Sequence, residues 1–584
     1  MGIYYKDRLK DVVVWRNPRQ GDLRIGKLPR LTINYQLPAL FFVVLGVLAI
    51  LKYISLHSSF FDLGIFLTLF YKISHYGEWW HLFVGHAQPL MLIYAAIYKV
   101  LPESFAPLVV IVLQAFFLAL PGFWILKRYG QFLFLLFALY FPLWFNALFD
   151  FHMDHLAVPL LFWFYFLVED GRYKCTVLPA ILLVFVKEPF ALQTAACGVY
   201  LTVRGLHSVL HGQKIAGCHL LSAINWQSVT NYQQIIIGFF LISFGFGYFY
   251  LLINYIFPSL TGKMGYLSTS AFSWMGNSFG EIIRFIFIHP FTILKEILGT
   301  PRKIFYLVAV FGPFLFIPFL APLYLIPAVP ILLISLLSHD PNHYTYAHHY
   351  TAGLIAPVFM AFIKGLPKIE KLIGGLWLVI CISLLFHILL SPSPISRIFW
   401  TNKVWNYGYQ AYIPTERDRV IKETLKRFIP SDPKVAVSTQ NALNWARLAH
   451  RRYYLAFPIG VTEPVPSHLW RNKTRNSTPV YAQYVVLDLK RPWYIVDQGC
   501  SWQTSEPLNL TRRELKVLGF SQDLGTIKWA SCARETPIIW KSPSGRVYQG
   551  ILEKVFIDLL SEVLKSYEIL YENDGFLILK RIDL

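Results

Sequence analysis

Long apolar runs separated by short polar turns fill the first two thirds of the chain. The run at 37–56 is long enough to cross a bilayer, since a helix rises about 1.5 Å per residue through roughly 30 Å of hydrocarbon. Further runs follow at 88–101, 105–126, 132–149, 155–168, 176–203, 234–257, 304–320, 322–337, 351–363 and 372–390. Several of these are short and rich in proline. The pattern predicts a polytopic α-helical membrane protein with about 10–12 spanning helices.

The end of the chain has a different pattern. Beyond about residue 400 no apolar run is long enough to span, and short β-branched segments appear at 434–438 and 484–489. Two alternating segments, 567–571 and 576–580, flank Asn573-Asp574-Gly575, which is typical of a β-hairpin turn. The chain is thus predicted to divide into a basic N-terminal segment (1–36), a multi-span membrane domain (37–399) with an interfacial loop (57–88), and a soluble α/β domain (400–584).

Composition and charge support this division. Of the 584 residues, 55% are hydrophobic and 15% charged, whereas soluble proteins have about 45–50% and 25%. A single soluble domain is therefore excluded. The net charge is +20, and residues 1–36 are basic. Because Lys and Arg favour the cytoplasmic side, the sequence predicts a multi-pass protein of the cell membrane with a cytoplasmic N-terminus. No basic stretch with interleaved aromatics indicates nucleic-acid binding.

Ionisable residues within or beside apolar runs are candidate functional residues, because such side chains are expensive to place in a membrane. The first group lies in the loop 57–88 and contains Asp62, His86 and Gln88. This interval is too apolar for a free loop and too polar for a span, so we expect it to lie in the membrane interface. For Asp62, a solvated helix end is the alternative interpretation.

The second group has two carboxylates and two imidazoles within six residues: Asp150, His152, Asp154 and His155. Such side chains bind divalent metals, and they also hydrogen-bond to sugars or phosphates. A polar turn at the membrane surface is the third interpretation. If an ion such as Mg²⁺ or Mn²⁺ is bound, Asp150 and Asp154 are its candidate ligands, but the sequence establishes no cofactor.

The third group is the pair Lys187-Glu188, which precedes Pro189 inside the run 176–203. Charges at that depth should face the protein interior or a cavity, and Pro189 should break the helix. We expect Lys187 to meet a phosphate and Glu188 to meet another helix. A local structural ion pair is the alternative.

The fourth group is rich in histidine and tyrosine and comprises His339, His343, His348, His349 and Tyr350. Pro341 favours a loop here, and the sequence has no HExxH motif of the zinc proteases. A belt of interfacial tyrosines is the alternative. The sequence also lacks a Walker A motif, a GxGxxG after a strand and a GxSxG elbow, which argues against an ATPase, a dinucleotide enzyme and a serine hydrolase.

Several motifs, taken together in their order and spacing, resemble a family of predicted prokaryotic membrane proteins catalogued as domain of unknown function 2079. They are Phe61-Asp62-Leu63-Gly64-Ile65-Phe66, His86-Ala87-Gln88-Pro89, Asp150-Phe151-His152, Lys187-Glu188, the segment 430–458 and Tyr484-Val485-Val486-Leu487-Asp488. That family is similar to the GT-C glycosyltransferases, multi-span enzymes that have an acidic residue just after the first span. Asp62 occupies this position, although many GT-C enzymes have a paired acidic motif there and Asp62 is followed by Leu63-Gly64.

The resemblance implies a GT-C-like fold and transfer of a sugar from a polyprenyl-phosphate-linked donor to a glycan, lipid or protein acceptor at the outer face of the membrane. Asp62 would be the general base, and Lys187 with His86 or His152 would stabilise the departing phosphate. The apolar helices would contact the lipid tail of the donor and the membrane lipids. The candidate substrate-binding residues are His86, Gln88, Asp150, His152, His155, Lys187, Glu188, His339, His343, His348, His349 and Tyr350.

In this arrangement the soluble domain would be extracytoplasmic, where Cys500 and Cys532 would be able to pair. Two other functions are compatible with the sequence. One is a transporter or lipid flippase, since these also use charges at mid-membrane and broken helices; the other is a non-catalytic scaffold. An enzyme needs Asp62, Lys187 and residues 150–155 around one surface cavity, whereas a transporter needs them along a pathway open to both sides.

Overall fold

A computed structural model describes most of the chain. The described residues are 34–83, 85–215, 226–261, 271–369, 376–401, 407–440, 443–462, 464, 480–489, 491, 506–510, 527–531, 538–541, 547–550 and 559–582. The protein is mostly helical, with a small sheet near its C-terminal end, which confirms the predicted fold class in this coarser form. The predicted pairing of Cys500 with Cys532 lies outside the described residues, as does most of the N-terminal segment.

The helices of the described residues are α1 (Gln36–Ile54), α2 (Ile65–Tyr76), α3 (Met91–Val100), α4 (Ala106–Tyr129), α5 (Gln131–Leu139), α6 (Phe141–Leu148), α7 (Ala157–Glu169), α8 (Val177–Val184), α9 (Pro189–Ile215), α10 (Trp226–Leu251), α11 (Phe257–Thr261), α12 (Phe279–Ile288), α13 (Pro290–Gly299), α14 (Pro301–Phe311), α15 (Val329–Leu337), α16 (Ala352–Gly365), α17 (Leu376–Leu390), α18 (Glu416–Phe428) and α19 (Ala446–Ala449). A π-helical turn at Phe60–Gly64 and short 3-10 helices at Met153–Leu156 and His349–Thr351 position the residues of the candidate site.

Far fewer helices than predicted are long enough to cross a membrane. Within the described residues, four segments meet the length and apolarity required: Gln36–Ile54, Ala106–Tyr129, Asn231–Leu260 and His349–Lys368. The pair α5 and α6, bent by 57°, adds a fifth if it forms one broken span. The expected 10–12 spans are thus not reached in this part of the chain, because bends and prolines divide many apolar runs into short helices.

Some predicted apolar runs form one continuous helix, whereas others form a short helix or are broken. The runs at 37–56 and 105–126 form the continuous helices α1 and α4, as predicted. The run at 88–101 forms only the ten-residue α3, which is about 15 Å long, half the hydrocarbon thickness. The predicted break at Pro189 is present, since α8 ends at Val184 and Pro189 is the first residue of α9.

The C-terminal domain contains a five-stranded sheet and two short two-stranded ladders. The strands are β1 (Val437–Thr439), β2 (Tyr454–Ala456), β3 (Tyr484–Asp488), β4 (Glu506–Leu510), β5 (Ile527–Ser531), β6 (Ile538–Lys541), β7 (Val547–Gly550), β8 (Tyr567–Asn573) and β9 (Phe576–Arg581). The large sheet has the order β2-β1-β3-β9-β8; β1 is parallel to β2 and β3, and β9 is antiparallel to β3 and β8. In the ladders, β4 pairs with β5 and β6 with β7.

The predicted hairpin is confirmed as β8 and β9. Its turn residues Asp574 and Gly575 have φ angles of 48° and 79°. Positive φ at both central positions matches the right-handed twist of a hairpin, and Asp and Gly tolerate it well.

A buried arginine joins the C-terminal part of the chain to the segment after α1. Arg491 donates to the backbone carbonyl oxygens of Leu56 and Ser55, directly after α1. Its guanidinium also pairs with Asp418 at 2.7 Å and with Asp488 at 2.9 Å. Charged groups that are buried need such complete pairing. The domain therefore lies at the same end of α1 as the predicted functional site.

Candidate functional site

Asp62 and His152 form the centre of the site. Asp62 lies in the π-helical turn after α1, and His152 lies in the connection between α6 and the 3-10 helix that leads into α7. The ring Nε2 of His152 is 2.7 Å from Asp62 Oδ1, and the two side chains are only 13% and 11% exposed. Helix packing thus brings together two predicted site residues that are 90 positions apart in the chain.

The loop that carries His152 is held from two sides. The Gln114 side chain, in α4, accepts the backbone N–H of His152 at 3.1 Å and donates to the Asp150 carbonyl at 2.8 Å. The Asp150 carboxylate accepts the backbone N–H of Ser59 at 2.7 Å, which ties the loop after α6 to the loop after α1. Burial raises the pKa of the Asp150 carboxyl to about 6, against the opposing effect of the Lys52 ammonium.

Lys52 and Gln114 were not predicted from the sequence, although both are polar residues within predicted spans. Both are almost completely buried. Lys52 Nζ donates to the backbone carbonyl oxygens of Leu148 and Phe149, at 2.7 and 2.5 Å. The signal that could have found these residues is the one applied to Lys187: a polar side chain in an apolar run must find its partners inside the protein.

The histidine-rich segment reaches the same place at the start of α16. The rings of His349 and His152 stack, with centroids 3.5 Å apart and planes 13° apart. Both ring nitrogens of His349 are buried and have no hydrogen-bond partner among the described residues. His348 packs against Phe149, with ring centroids 4.5 Å apart. Burial lowers the pKa of His348 to about 4, so its ring is neutral near pH 7.

The break between α8 and α9 contributes Lys187 and Glu188, and the two charges have different partners. Lys187 Nζ lies 3.4 Å from Asp154 Oδ2. The fully buried Glu188 lies 2.7 Å from His86 Nδ1 and accepts the backbone N–H of Ala87 at 3.0 Å. Glu188 therefore holds the loop before α3, while Lys187 remains beside the second predicted group.

Other residues of the second and fourth groups complete the arrangement. The Tyr350 ring lies 5.7 Å from Lys187 Nζ and 4.9 Å from the His343 ring. His155 has a different partner: its Nε2 lies 2.7 Å from the hydroxyl of the buried Tyr94. We call the following residues the site cluster: Asp62, His152, Asp154, Lys187, His348, His349 and Tyr350.

Two predicted residues have their described contacts elsewhere. The ring of His339 is half exposed and stacks on Trp274 with centroids 5.0 Å apart, and its Nε2 lies 3.4 Å from Glu296. Gln88 is buried, and its backbone carbonyl accepts the N–H of Met91 at the start of α3. The structure thus brings together most residues of the four predicted groups. Among the described contacts, none joins the side chains of His339 and Gln88 to the site cluster.

Three residues of the site cluster are placed to hold a metal ion. One ligand atom from each of His152, Asp154 and His349 lies within 4.8 Å of the others. Asp154 is one of the two carboxylates that the sequence gives as candidate metal ligands. The other, Asp150, is not a member of this group, because its carboxylate binds the backbone of Ser59 instead.

The fold and the site define a helical membrane protein with an ionisable cluster at one end of its apolar helices and a small α/β domain at that same end. The family comparison agrees with this class. The model of a family described as predicted membrane protein, domain of unknown function 2079, matches residues 52–509. The chain belongs to this family, which confirms the predicted resemblance to it; the match covers the whole site cluster. No curated protein matches the sequence.

Proposed function

We propose that the protein is a membrane glycosyltransferase that moves a sugar from a polyprenyl-phosphate-linked donor to a hydroxyl group of a glycan, lipid or protein acceptor. One observation carries the proposal: several distant segments place their ionisable side chains in one cluster at one end of the apolar helices, beside the C-terminal domain. A lipid-linked donor requires such a place, because its reacting phosphate lies at the membrane surface while its tail stays among apolar side chains.

Asp62 is the general base in this proposal. The bond between the anomeric carbon and the phosphate oxygen breaks, the acceptor oxygen bonds to that carbon, and the hydroxyl proton passes to the carboxylate. His152 holds one carboxylate oxygen of Asp62 at 2.7 Å, so the base is fixed in position. Such positioning is a large part of enzymatic rate enhancement.

Lys187 is the cation that stabilises the departing phosphate. It is almost completely buried, and its ammonium is 3.4 Å from Asp154, a long ion pair that leaves the ammonium able to donate to a phosphate oxygen. His86 is the second donor to this anion. Glu188 positions it, since its carboxylate holds both the His86 ring and the next backbone N–H.

A transporter or flippase is the second candidate, and the packing beyond the site cluster weighs against it. A transport pathway has to open to both sides of the membrane. Between α7 and its neighbours, the buried Phe162 ring lies 5.7 Å from Phe137 and 6.1 Å from Phe359. These packed rings lie between the site cluster and the opposite ends of α7 and α16, which favours a site that opens on one side.

The test follows donor consumption by the full chain in nanodiscs. A panel of polyprenyl-phosphate sugars is offered with varied acceptors, and the remaining lipid-linked sugar is measured by mass spectrometry. We expect the parent to consume one donor and Asp62→Asn to consume it at least about 100-fold more slowly while still binding it.

Asp170→Asn is the matched control for this experiment. Asp170 follows the last residue of α7 and pairs with Arg128 at 2.7 Å, at the opposite end of α7 from the site cluster. This variant should consume donor at the parent's rate. If the parent binds a donor but never consumes it with any acceptor, the transporter becomes the better hypothesis.

A further inference from the structure

His349 is a buried imidazole whose two nitrogens lack partners. The residue is 6% exposed, and neither Nδ1 nor Nε2 has a hydrogen-bond partner among the described residues. Another buried histidine, His387, shows the ordinary solution: its Nδ1 lies 2.9 Å from the Leu139 carbonyl oxygen and its Nε2 lies 2.6 Å from Ser393 Oγ. Buried polar atoms are rarely left unpaired in this way, so His349 requires an explanation.

The surroundings of His349 supply one. A ligand atom of His349 lies within 4.8 Å of one from His152 and one from Asp154. Bonds of about 2.0–2.2 Å to a common ion would place such atoms roughly 3–4 Å apart. At least one of the stacked His152 and His349 rings would also have to turn out of the stack, because a metal ion lies in the plane of the imidazole that binds it. An ion at this point would bind one of the two His349 nitrogens that otherwise have no partner.

The contacts around the other two ligands fit the same explanation. A metal-binding histidine commonly donates its second ring N–H to a carboxylate, which fixes the ring and makes the ligand nitrogen more basic. His152 has this partner, since its Nε2 lies 2.7 Å from Asp62, so an ion would be bound through Nδ1. Lys187 lies 3.4 Å from one oxygen of Asp154, which leaves the second oxygen for coordination.

We propose that His152, Asp154 and His349 bind a transition-metal ion of the Zn²⁺ type, with Asp62 as the residue that positions His152. Two imidazoles and one carboxylate are typical of catalytic zinc sites, which keep a further position open for water or substrate. Imidazole ligands favour Zn²⁺ over Mg²⁺, which prefers oxygen ligands. The open position, beside Lys187, would take a phosphate oxygen of the donor; this last step rests on the proposed function.

The test measures metal binding, so its outcome is separate from that of the turnover experiment. The full chain is purified in nanodiscs with an affinity tag that contains no histidine, stripped with a chelator, and titrated with Zn²⁺, Mn²⁺ or Mg²⁺ by calorimetry. We expect one tight Zn²⁺ site in the parent, weakened at least about 100-fold in His349→Gln and about 10–100-fold in Asp62→Asn. His387→Gln, which removes a buried imidazole outside the site cluster, should bind Zn²⁺ like the parent.

A second variant keeps the proposal testable if His349→Gln folds poorly. His349→Phe replaces the unpartnered nitrogens with an apolar ring, so its metal-free form should have a higher Tm than the metal-free parent. Added Zn²⁺ should raise the Tm of the parent but not that of His349→Phe.

Several results would overturn the metal site. They are a parent that binds no Zn²⁺ at micromolar concentrations, a His349→Gln variant that keeps the parent's affinity, and a parent that binds Mg²⁺ as tightly as Zn²⁺. Tight Zn²⁺ binding without turnover of any lipid-linked sugar would support the metal site and count against the glycosyltransferase.

Discussion

Two ionisable clusters lie at opposite ends of α7 and α16. Members of the site cluster lie just before the first residue of each helix. At the other end is a group that we call the Glu169 cluster: Glu169, Tyr200, Arg204, Tyr324 and Lys364. Since α7 has 13 residues, the two clusters are about 20 Å apart. Both clusters are largely buried in the same helical body, yet they are built differently.

The central carboxylate of the Glu169 cluster is fully matched. Glu169 Oε1 accepts from the Tyr324 hydroxyl at 2.7 Å and from Arg204 at 3.2 Å, while Oε2 pairs with Lys364. In the site cluster, by contrast, His349 has two buried nitrogens without partners. A buried cluster in which the charges are paired supports the fold, whereas one that leaves strong ligand atoms unpaired is suited to bind something.

The largest expected effect of this difference is on stability. Glu169→Gln leaves Arg204 and Lys364 without their shared counter-charge, which should lower the free energy of unfolding by about 3–5 kcal/mol. Thermal unfolding in detergent should show a clearly lower Tm, while the Zn²⁺ affinity of the folded protein stays at the parent's value. In the neighbouring pair of Asp170 and Arg128, Asp170→Asn removes the carboxylate charge from one partner and not three, so it should cost less than Glu169→Gln. Equal losses in the two variants would contradict the special role of the Glu169 cluster.

The next effect is smaller, and it should distinguish a loss of site geometry from a general loss of stability. Gln114→Met removes the acceptor of the His152 N–H and the donor to the Asp150 carbonyl, which should cost about 1–3 kcal/mol. Because the loop that carries His152 loses its anchor, we expect the Zn²⁺ affinity to fall about tenfold, as measured by calorimetry.

Ser383→Ala is the control for this prediction. Ser383 is also buried, and its hydroxyl donates to the backbone carbonyl oxygen of Pro313 at 2.6 Å; it lies in α17, which holds no residue of the site cluster. The control should lose similar stability and keep the parent's Zn²⁺ affinity. If both variants bind Zn²⁺ equally weakly, Gln114 acts through general stability and not through the position of His152.

The comparison also shows how far the sequence could predict the site. Asp62, His152 and Lys187 were predictable as members of the site cluster, because charged residues beside apolar runs must find partners in the protein. Their contacts were not predictable, since they depend on how helices far apart in the chain pack. The same limit explains why His349 appeared only as one residue of a histidine-rich segment: its lack of partners is a property of its packed surroundings.

The fold was predictable to a similar degree. The apolar helices, the small sheet near the C-terminal end and its hairpin follow from hydropathy and local turn chemistry. The number of spans does not, because hydropathy does not distinguish a continuous helix from a broken one. The run at 132–149 is apolar throughout, yet it forms two helices bent by 57°. Lys52 and Gln114 were not predicted, because a single polar residue in a long apolar run does not by itself show which helix or loop supplies its partners.

The smallest expected effect concerns pH, to which the two ends of α7 and α16 should respond differently, because His343 contacts Tyr350 of the site cluster. Burial lowers the pKa of His343, as do the positive charges of Lys187 and His86, while Asp340 opposes them. A histidine whose folded-state pKa lies below its unfolded value near 6.5 binds a proton more readily when the chain is unfolded. Stability should therefore fall as the pH drops from 7 through about 6.5 towards the folded-state pKa, by at most about 1.4 kcal/mol per pH unit for one such group.

His343→Asn tests this contribution, because an asparagine amide retains a polar group near Ser338 Oγ, which lies 2.8 Å from His343 Nδ1, but does not titrate. The Tm of the variant, measured in detergent between pH 5 and 7, should depend less on pH than that of the parent. Asp170→Asn, at the end that has no imidazole in its cluster, should keep the parent's pH dependence. If the Tm of His343→Asn depends on pH as strongly as that of the parent, the pH response comes from other buried imidazoles such as His348. His343 would then make no difference between the two ends of α7 and α16.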